Sequence, residues 1–186
     1  MFFILTGDPG VGKTTLIKKI VSILNRKGIK TKGFYTEEVR NNGVREGFDI
    51  VTLNGVRGKL ARDQNFLTIK SKYTVGKYGV LVKEFEDISL ASLEKLNCSE
   101  RDVMVIDEIG KMEFFSTSFK FRIKDIFSSE CENIVLATIP SRKSDPIIES
   151  IRNDKRSYVW MVLKKVTREN RNVLHDEIVN KISSII

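Results

Sequence analysis

Eight residues close to the N-terminus constrain this chain more than anything that follows them. Gly7, Asp8, Pro9, Gly10, Val11, Gly12, Lys13 and Thr14 spell G-x-x-x-x-G-K-T, between the apolar run MFFILT and the amphipathic run TTLIKKIVSIL. That order reads as strand, loop and helix, and each residue type has a task if the ligand is a polyphosphate. Gly7, Gly10 and Gly12 let the backbone take up positive φ and approach an anion closely, so that successive N–H groups form a concave site. The first turn of the following helix adds the positive end of its dipole. Lys13 reaches β- and γ-phosphates as a point charge, and the Thr14 hydroxyl is placed to ligate Mg²⁺.

A second motif completes the first. Val103, Met104, Val105 and Ile106 form an apolar run that predicts a strand buried on both faces, and Asp107, Glu108, Ile109 and Gly110 follow at its C-terminal end. Ligands of open α/β sheets bind at that edge. Two adjacent acids there are costly to bury without a purpose. Beside a phosphate loop the purpose is readable: Asp107 holds Mg²⁺, directly or through water, and Glu108 orients and polarises an attacking water. Glu113 is a third acid that either assists or simply caps a helix. The run NIVLAT (133–138) predicts the next buried strand, and Thr138 at its end is a candidate catalytic sensor of the γ-phosphate or water, with Arg142 and Lys143 directly after it.

The intervening chain supplies architecture. Leu16, Ile17, Ile20, Val21, Ile23 and Leu24 recur at helical spacing, closed by Lys27-Gly28. Residues 29–35 fit a strand that ends in Thr36-Glu37-Glu38-Val39-Arg40. Asn42-Gly43 and Asn54-Gly55 then mark two hairpins, so residues 38–63 predict an antiparallel meander attached to the parallel sheet. Further predicted elements are a glycine-rich bend leading into a strand near 80–82, a short helix over 88–96, and a helix carrying Phe115, Phe119, Phe121, Ile123, Ile126 and Phe127. A strand over 158–166 and a closing helix over 168–186 follow, with His175 on its polar, solvated face.

A chain of 186 residues fits one domain spanning 1–186 with a substantial core. Lys and Arg number 32 against 24 Asp and Glu, a net charge of +8 that attracts polyanions, with much of the excess between Arg142 and Arg171. Cys98 and Cys131 have no metal spacing and read as reduced and incidental. The start, MFFIL, is short and lacks a basic n-region, which makes it a core strand rather than a signal peptide. No apolar run approaches membrane-spanning length, and the expectation is a cytoplasmic protein with no membrane partner.

GDPGVGKTTL, FYTEEVRNNGVREGFDIV, VMVIDEIGKMEF, LATIP and VTRENRN together resemble the THEP-type nucleoside-triphosphatases, the family that includes cancer-related nucleoside-triphosphatase. The resemblance runs from end to end. It implies a three-layer α/β/α P-loop NTPase fold of RecA-like type, and Mg²⁺-dependent hydrolysis of ATP, GTP and other nucleoside triphosphates with little base preference. It also implies that the nucleotide-binding stretches are Gly7 to Thr14 and Val103 to Gly110. The segment from Ser141 to Arg156 departs most from the family pattern and reads as loosely organised. Two other readings share the loop. A small-molecule or nucleotide kinase would use an arginine-rich lid, but Glu108 recruits the water that a kinase must exclude. A nucleic-acid-linked ATPase fits the charge but has no supporting motif. A stabilising arginine is expected, with Arg40, Arg45 and Arg142 as candidates.

Overall fold

The computed structural model describes residues 1–94, 102–128, 134–161 and 168–186, with the backbone alone at 160–161 and 168–172. The elements in order are β1 (Phe2–Gly7), α1 (Lys13–Arg26), β2 (Thr31–Asn41), β3 (Val44–Thr52), β4 (Arg57–Asp63), β5 (Thr74–Val75), β6 (Tyr78–Val80) and α2 (Val82–Ser92). They continue with β7 (Val103–Ile106), α3 (Thr117–Ser128), β8 (Ile134–Pro140), α4 (Pro146–Arg152), β9 (Ser157–Met161) and α5 (Arg168–Ser183). Cys98 and Cys131 lie outside the described residues.

The described strands form one sheet of nine in the order β5-β6-β4-β3-β2-β7-β8-β1-β9. Pairing is parallel from β2 through β7, β8 and β1 to β9, and antiparallel from β2 outward to β5. The strands that read as continuous apolar runs are the central ones. Every residue of β1 and β7 is buried, as are Ile134 to Ile139 of β8. Such strands need cover on both faces, and they have it. Phe3 and Leu5 of β1 point toward Leu16, Ile17, Ile20 and Leu24 of α1 and Ile178 and Ile182 of α5. Phe2 and Ile4 point the opposite way, toward Phe85 of α2, Phe119 and Ile123 of α3 and Ile148 of α4. The result is the three-layer α/β/α arrangement.

The register fixes where chemistry can occur. Gly7 of β1 lies opposite Pro140 of β8, and Ile106 of β7 opposite Ala137, so the phosphate loop and the acidic pair emerge at the same C-terminal edge with β8 between them. The strand that carries the loop and the strand that carries the acids are thus separated by one strand, which leaves width for a triphosphate between their ends.

Several expected boundaries move. β2 is a single strand through Asn41 rather than two pieces, because β3 pairs with its overhanging half after β7 has ended. The chain turns helical at Val82, not Ile88: Leu81 donates its N–H to Leu60, and Phe85 drops between Phe34 and Phe119, with ring centroids 6.0 and 5.0 Å away. Residues 141–156 are not loosely organised. They hold α4, whose N-terminus is capped by Asp145 accepting from the Ile147 amide at 3.0 Å. Phe121 belongs outside the core at 67% exposure, whereas Phe119, Ile123, Ile126 and Phe127 are inside. His175 is buried, not solvated, with Nε2 3.0 Å from Asp176 Oδ1. Packing Leu174, Ile178 and Val179 into the core beside α1 carries the imidazole in with them.

The two phenylalanines of α3 test the orientation of that helix. Phe119→Ala is expected to lower unfolding free energy by about 3–5 kcal/mol, and Phe121→Ala to change it by less than about 0.5 kcal/mol, as measured by urea denaturation.

Candidate active site

Gly10 and Gly12 have φ of +79° and +97°, and Gly12 serves as the left-handed N-cap from which α1 starts. A residue with a Cβ is disfavoured in that conformation, so the turn that aims the loop amides inward needs glycine. Val11 tucks into the core beneath α1 and anchors the loop, while Asp8, Pro9 and Gly10 stay exposed at the rim. Lys13 is 7% exposed, and its ammonium curls back inside the loop, donating to the carbonyls of Gly7 at 2.9 Å and Asp8 at 3.3 Å. Its Nζ also lies 3.8 Å from Glu108 Oε2. The two motifs therefore meet.

Asp107 is 1% exposed at the end of β7, with its amide donating to Phe34 at 3.1 Å. The peptide joining Asp107 to Glu108 is cis. The Thr138 hydroxyl, itself fully buried, donates to Asp107 Oδ1 at 2.5 Å. Thr138 thus faces Asp107, and its carbonyl takes the Ile109 amide at 2.9 Å. Asp107 Oδ2 is buried without a hydrogen-bond partner. Burial pushes the Asp107 carboxyl up, opposed by the hydroxyls of Thr138 and Thr14, the Lys13 charge and the Thr36 amide. A buried oxygen that lacks a donor, close to a threonine hydroxyl at a helix start, suits a hard cation. Among the described residues no group of three or more His, Cys, Asp or Glu side chains could hold a metal alone. Asp107 and Thr14 supply the protein oxygens at this position that suit a divalent cation completing its shell from other ligands.

The remaining residues of the acidic strand are supports. Val103 and Val105 pack on the α1 side, Met104, Ile106 and Ile109 on the other, and none reaches the edge with its side chain. Glu108 keeps 35% of its side chain accessible at the mouth. Desolvation raises its carboxyl, the Lys13 charge lowers it and Asp107 raises it further.

Glu113 resolves as part of this constellation. It sits 4% exposed on a one-turn 3₁₀ segment, Glu113–Phe115, before α3. A Cβ placed on Gly110 would lie 2.9 Å from Glu108 Oε1 and also 2.9 Å from Glu113 Oε2, so both carboxyl groups close on the backbone at this residue. Burial, followed by repulsion from Glu108, pushes Glu113 up to about 8. It therefore carries a proton at neutral pH.

Beyond Phe34, which pairs with Ile106, β2 overhangs the end of β7. The acids on this overhang are internally neutralised. Glu37 pairs with Lys18 of α1 and with Arg57, which also reaches Asp49 at 2.8 Å, and Glu38 pairs with Arg40 and, at 2.5 Å, with Arg45. The Lys18 hydrogen bond first, and Arg57, hold the Glu37 carboxyl below its ordinary range; Arg45 does the same for Glu38. Arg40 further donates to the Gly43 carbonyl at 2.8 Å. Two of the three candidate arginines are thus bound to Glu38, on the side of the molecule given to the hairpins.

A family profile described as NTPase matches residues 2–179. The chain belongs to this nucleoside-triphosphatase family. It is 45% identical to nucleoside-triphosphatase THEP1 of Thermotoga sp. strain RQ2 across 97% of this chain and 94% of that one. It is also 45% identical to the human cancer-related nucleoside-triphosphatase, across 97% and 95%. The crystal structure of THEP1 from Aquifex aeolicus superposes with a TM-score of 0.82 at 38% identity, covering 98% of this chain and 99% of that chain. The solution structure of the human protein gives 0.80 at 43%, covering 98% and 97%. The protein is accordingly a P-loop nucleoside-triphosphatase.

Two participants in the site of this nucleoside-triphosphatase were not readable in advance. Ser141 donates to Asp8 Oδ1 at 2.9 Å, and the Thr36 amide faces Asp107. Both depend on strand register, which no local spacing encodes. Because Glu113 is raised in the folded chain, its contribution to stability is full below about pH 4.5 and is lost as pH rises toward about 8. In metal-free protein, Glu113→Gln is expected to be roughly a few kcal/mol more stable than wild type at pH 9 and similar at pH 5, as read from denaturant midpoints across that range.

Proposed function

We propose that the protein hydrolyses nucleoside 5′-triphosphates, ATP and GTP among them with little base preference, to nucleoside diphosphate and phosphate. The reaction depends on Mg²⁺ and proceeds in the cytoplasm by in-line attack of water. One observation carries this reading: Lys13, curled inside the phosphate loop, and Glu108 stand 3.8 Å apart, beside the unpartnered oxygen of Asp107. A site that only held a triphosphate would need the lysine and the loop, not a raised carboxylate at the position of the γ-phosphoryl group.

Each residue has a separable task. Amides of residues 10–14 and the Lys13 ammonium neutralise the β- and γ-phosphoryl oxygens and are fixed before substrate arrives, so little reorganisation accompanies charge build-up. Thr14 and Asp107 would hold Mg²⁺, which supplies charge neutralisation across the β,γ bridge when bound. Thr138 ties down one oxygen of Asp107 and leaves the other for the metal or its water, the outer-shell job that fixes a ligand's orientation. Glu108, whose carboxyl burial raises above its ordinary value and which stays accessible, accepts the proton of the attacking water.

Phosphate release from ATP and GTP with Mg²⁺ tests this. Chelation of the metal should abolish turnover. Lys13→Ala should lower it by about 100-fold or more, and Glu108→Gln by a similar factor with nucleotide affinity retained. Thr138→Val should raise the Mg²⁺ concentration for half-maximal activity by about 10-fold or more. Undiminished release from Glu108→Gln would remove the water-activating assignment, and faster transfer to an added acceptor than to water would make the protein a kinase.

A further inference from the structure

The loop between β8 and α4 is fixed at both ends and presents its cations beside the phosphate loop. At its start, the Pro140 carbonyl accepts from the Thr6 hydroxyl at 3.0 Å and the Arg152 guanidinium at 2.5 Å, while Ser141 holds Asp8 of the phosphate loop at 2.9 Å. At its end, Asp145 caps α4 and pairs with Lys120 at 2.7 Å. Between these anchors lie Arg142 and Lys143, both exposed and neither in an ion pair among the described residues. The register brings Pro140 opposite Gly7, so Arg142 leaves the sheet two residues past the start of the phosphate loop. Other arginines that could serve are bound: Arg40 and Arg45 to Glu38, Arg57 to Glu37 and Asp49, Arg152 to Glu149 and Pro140, and Arg156 to Asp154.

We propose that Arg142 is the stabilising cation of the hydrolytic step, supplied by this chain itself through the Ser141–Asp8 contact. The proposal rests on the assignment of Lys13, Thr14, Asp107 and Glu108 as the triphosphate site. As the water oxygen bonds to the γ-phosphorus, the bond from that phosphorus to the β,γ-bridging oxygen breaks. The electron pair leaves with the diphosphate and the water proton passes to Glu108. Negative charge then moves toward the bridging oxygen. Arg142, which stays charged and transfers no proton, meets that charge from the loop after β8. Asp8 has a defined part in this: its carboxylate takes the Ser141 hydroxyl and so draws a cationic loop toward an anion site that the carboxylate alone would oppose.

Arg142→Ala and Lys143→Ala, two exposed changes of equal charge in one loop, separate this role from general attraction. Single-turnover rates with ATP and Mg²⁺ are read beside the affinities for ADP and for ADP with aluminium fluoride. Arg142→Ala is expected to lose about 100-fold or more in rate and a comparable factor in affinity for the fluoride complex, with ADP affinity within about threefold of wild type. Lys143→Ala should keep wild-type values for all three. Asp8→Ala should lose part of the Arg142 effect, and none of it in an Arg142→Ala background. Turnover of Arg142→Ala within about threefold of wild type, while Lys13→Ala is inactive, overturns this inference alone. Equal losses in Arg142→Ala and Lys143→Ala overturn it in favour of a diffuse charge effect. Equal phosphate release from wild type and Lys13→Ala overturns the site assignment, and the inference with it.

Discussion

The hydrogen bond from Thr138 to Asp107 joins the two halves of the catalytic edge. Asp107 stands at the end of a wholly apolar strand with no cation in contact, an arrangement that burial disfavours for an ionised carboxylate. The Thr138 hydroxyl satisfies one oxygen, fixes the plane of the carboxylate and leaves the second oxygen without a protein donor. Replacing that donor with a second protein hydrogen bond would stabilise the empty chain and remove the place for a metal. The site thus retains an unsatisfied group in the core, a deficit that the proposed binding of a cation would recover.

Everything that places this pair follows from strand order. β8 lies between β1 and β7, so the phosphate loop and the acidic pair are two strand spacings apart, about 10 Å, and both open onto one edge. The side chains that enforce the order are apolar residues alternating between two cores, which would reverse faces if any strand slipped by one position. Distance between catalytic groups is in this sense a property of the packing of Phe2 to Leu5, Val103 to Ile106 and Ile134 to Leu136.

Much of this was legible in the sequence because it is local. The phosphate loop has fixed spacing, the buried strands are continuous apolar runs, and Asn42-Gly43 and Asn54-Gly55 turn where hairpins turn. What escaped depends on contacts between distant segments. His175 sits next to Asp176 and Glu177 and reads as solvated, yet the helix rolls it inward as Ile178 and Ile182 pack on α1. Phe121 fits the helical period of its neighbours but falls on the outer face, a difference of one step in rotation. Residues 141–156 look disorganised because lysine, arginine and serine dominate them, while the determinants of order there are a single aspartate cap and the guanidinium of Arg152 reaching Pro140. The role of Thr138 was half visible: its position beside the acids could be anticipated, but whether its hydroxyl faced substrate or Asp107 is decided by the parallel register.

The overhang of β2 past β7 shapes the field through which a substrate enters. Glu37 and Glu38 are held by Lys18, Arg57, Arg40 and Arg45, so the cations of this flank, more numerous than its acids, are each tied to a carboxylate. On the loop after β8, which leaves the sheet between the two motifs, Arg142 and Lys143 are exposed and in no ion pair among the described residues. Of these, only the cations of the β8–α4 loop can therefore turn onto an arriving anion without first leaving a carboxylate. The charges of this basic protein thus differ in how readily they can be reassigned, which their sum of +8 does not express.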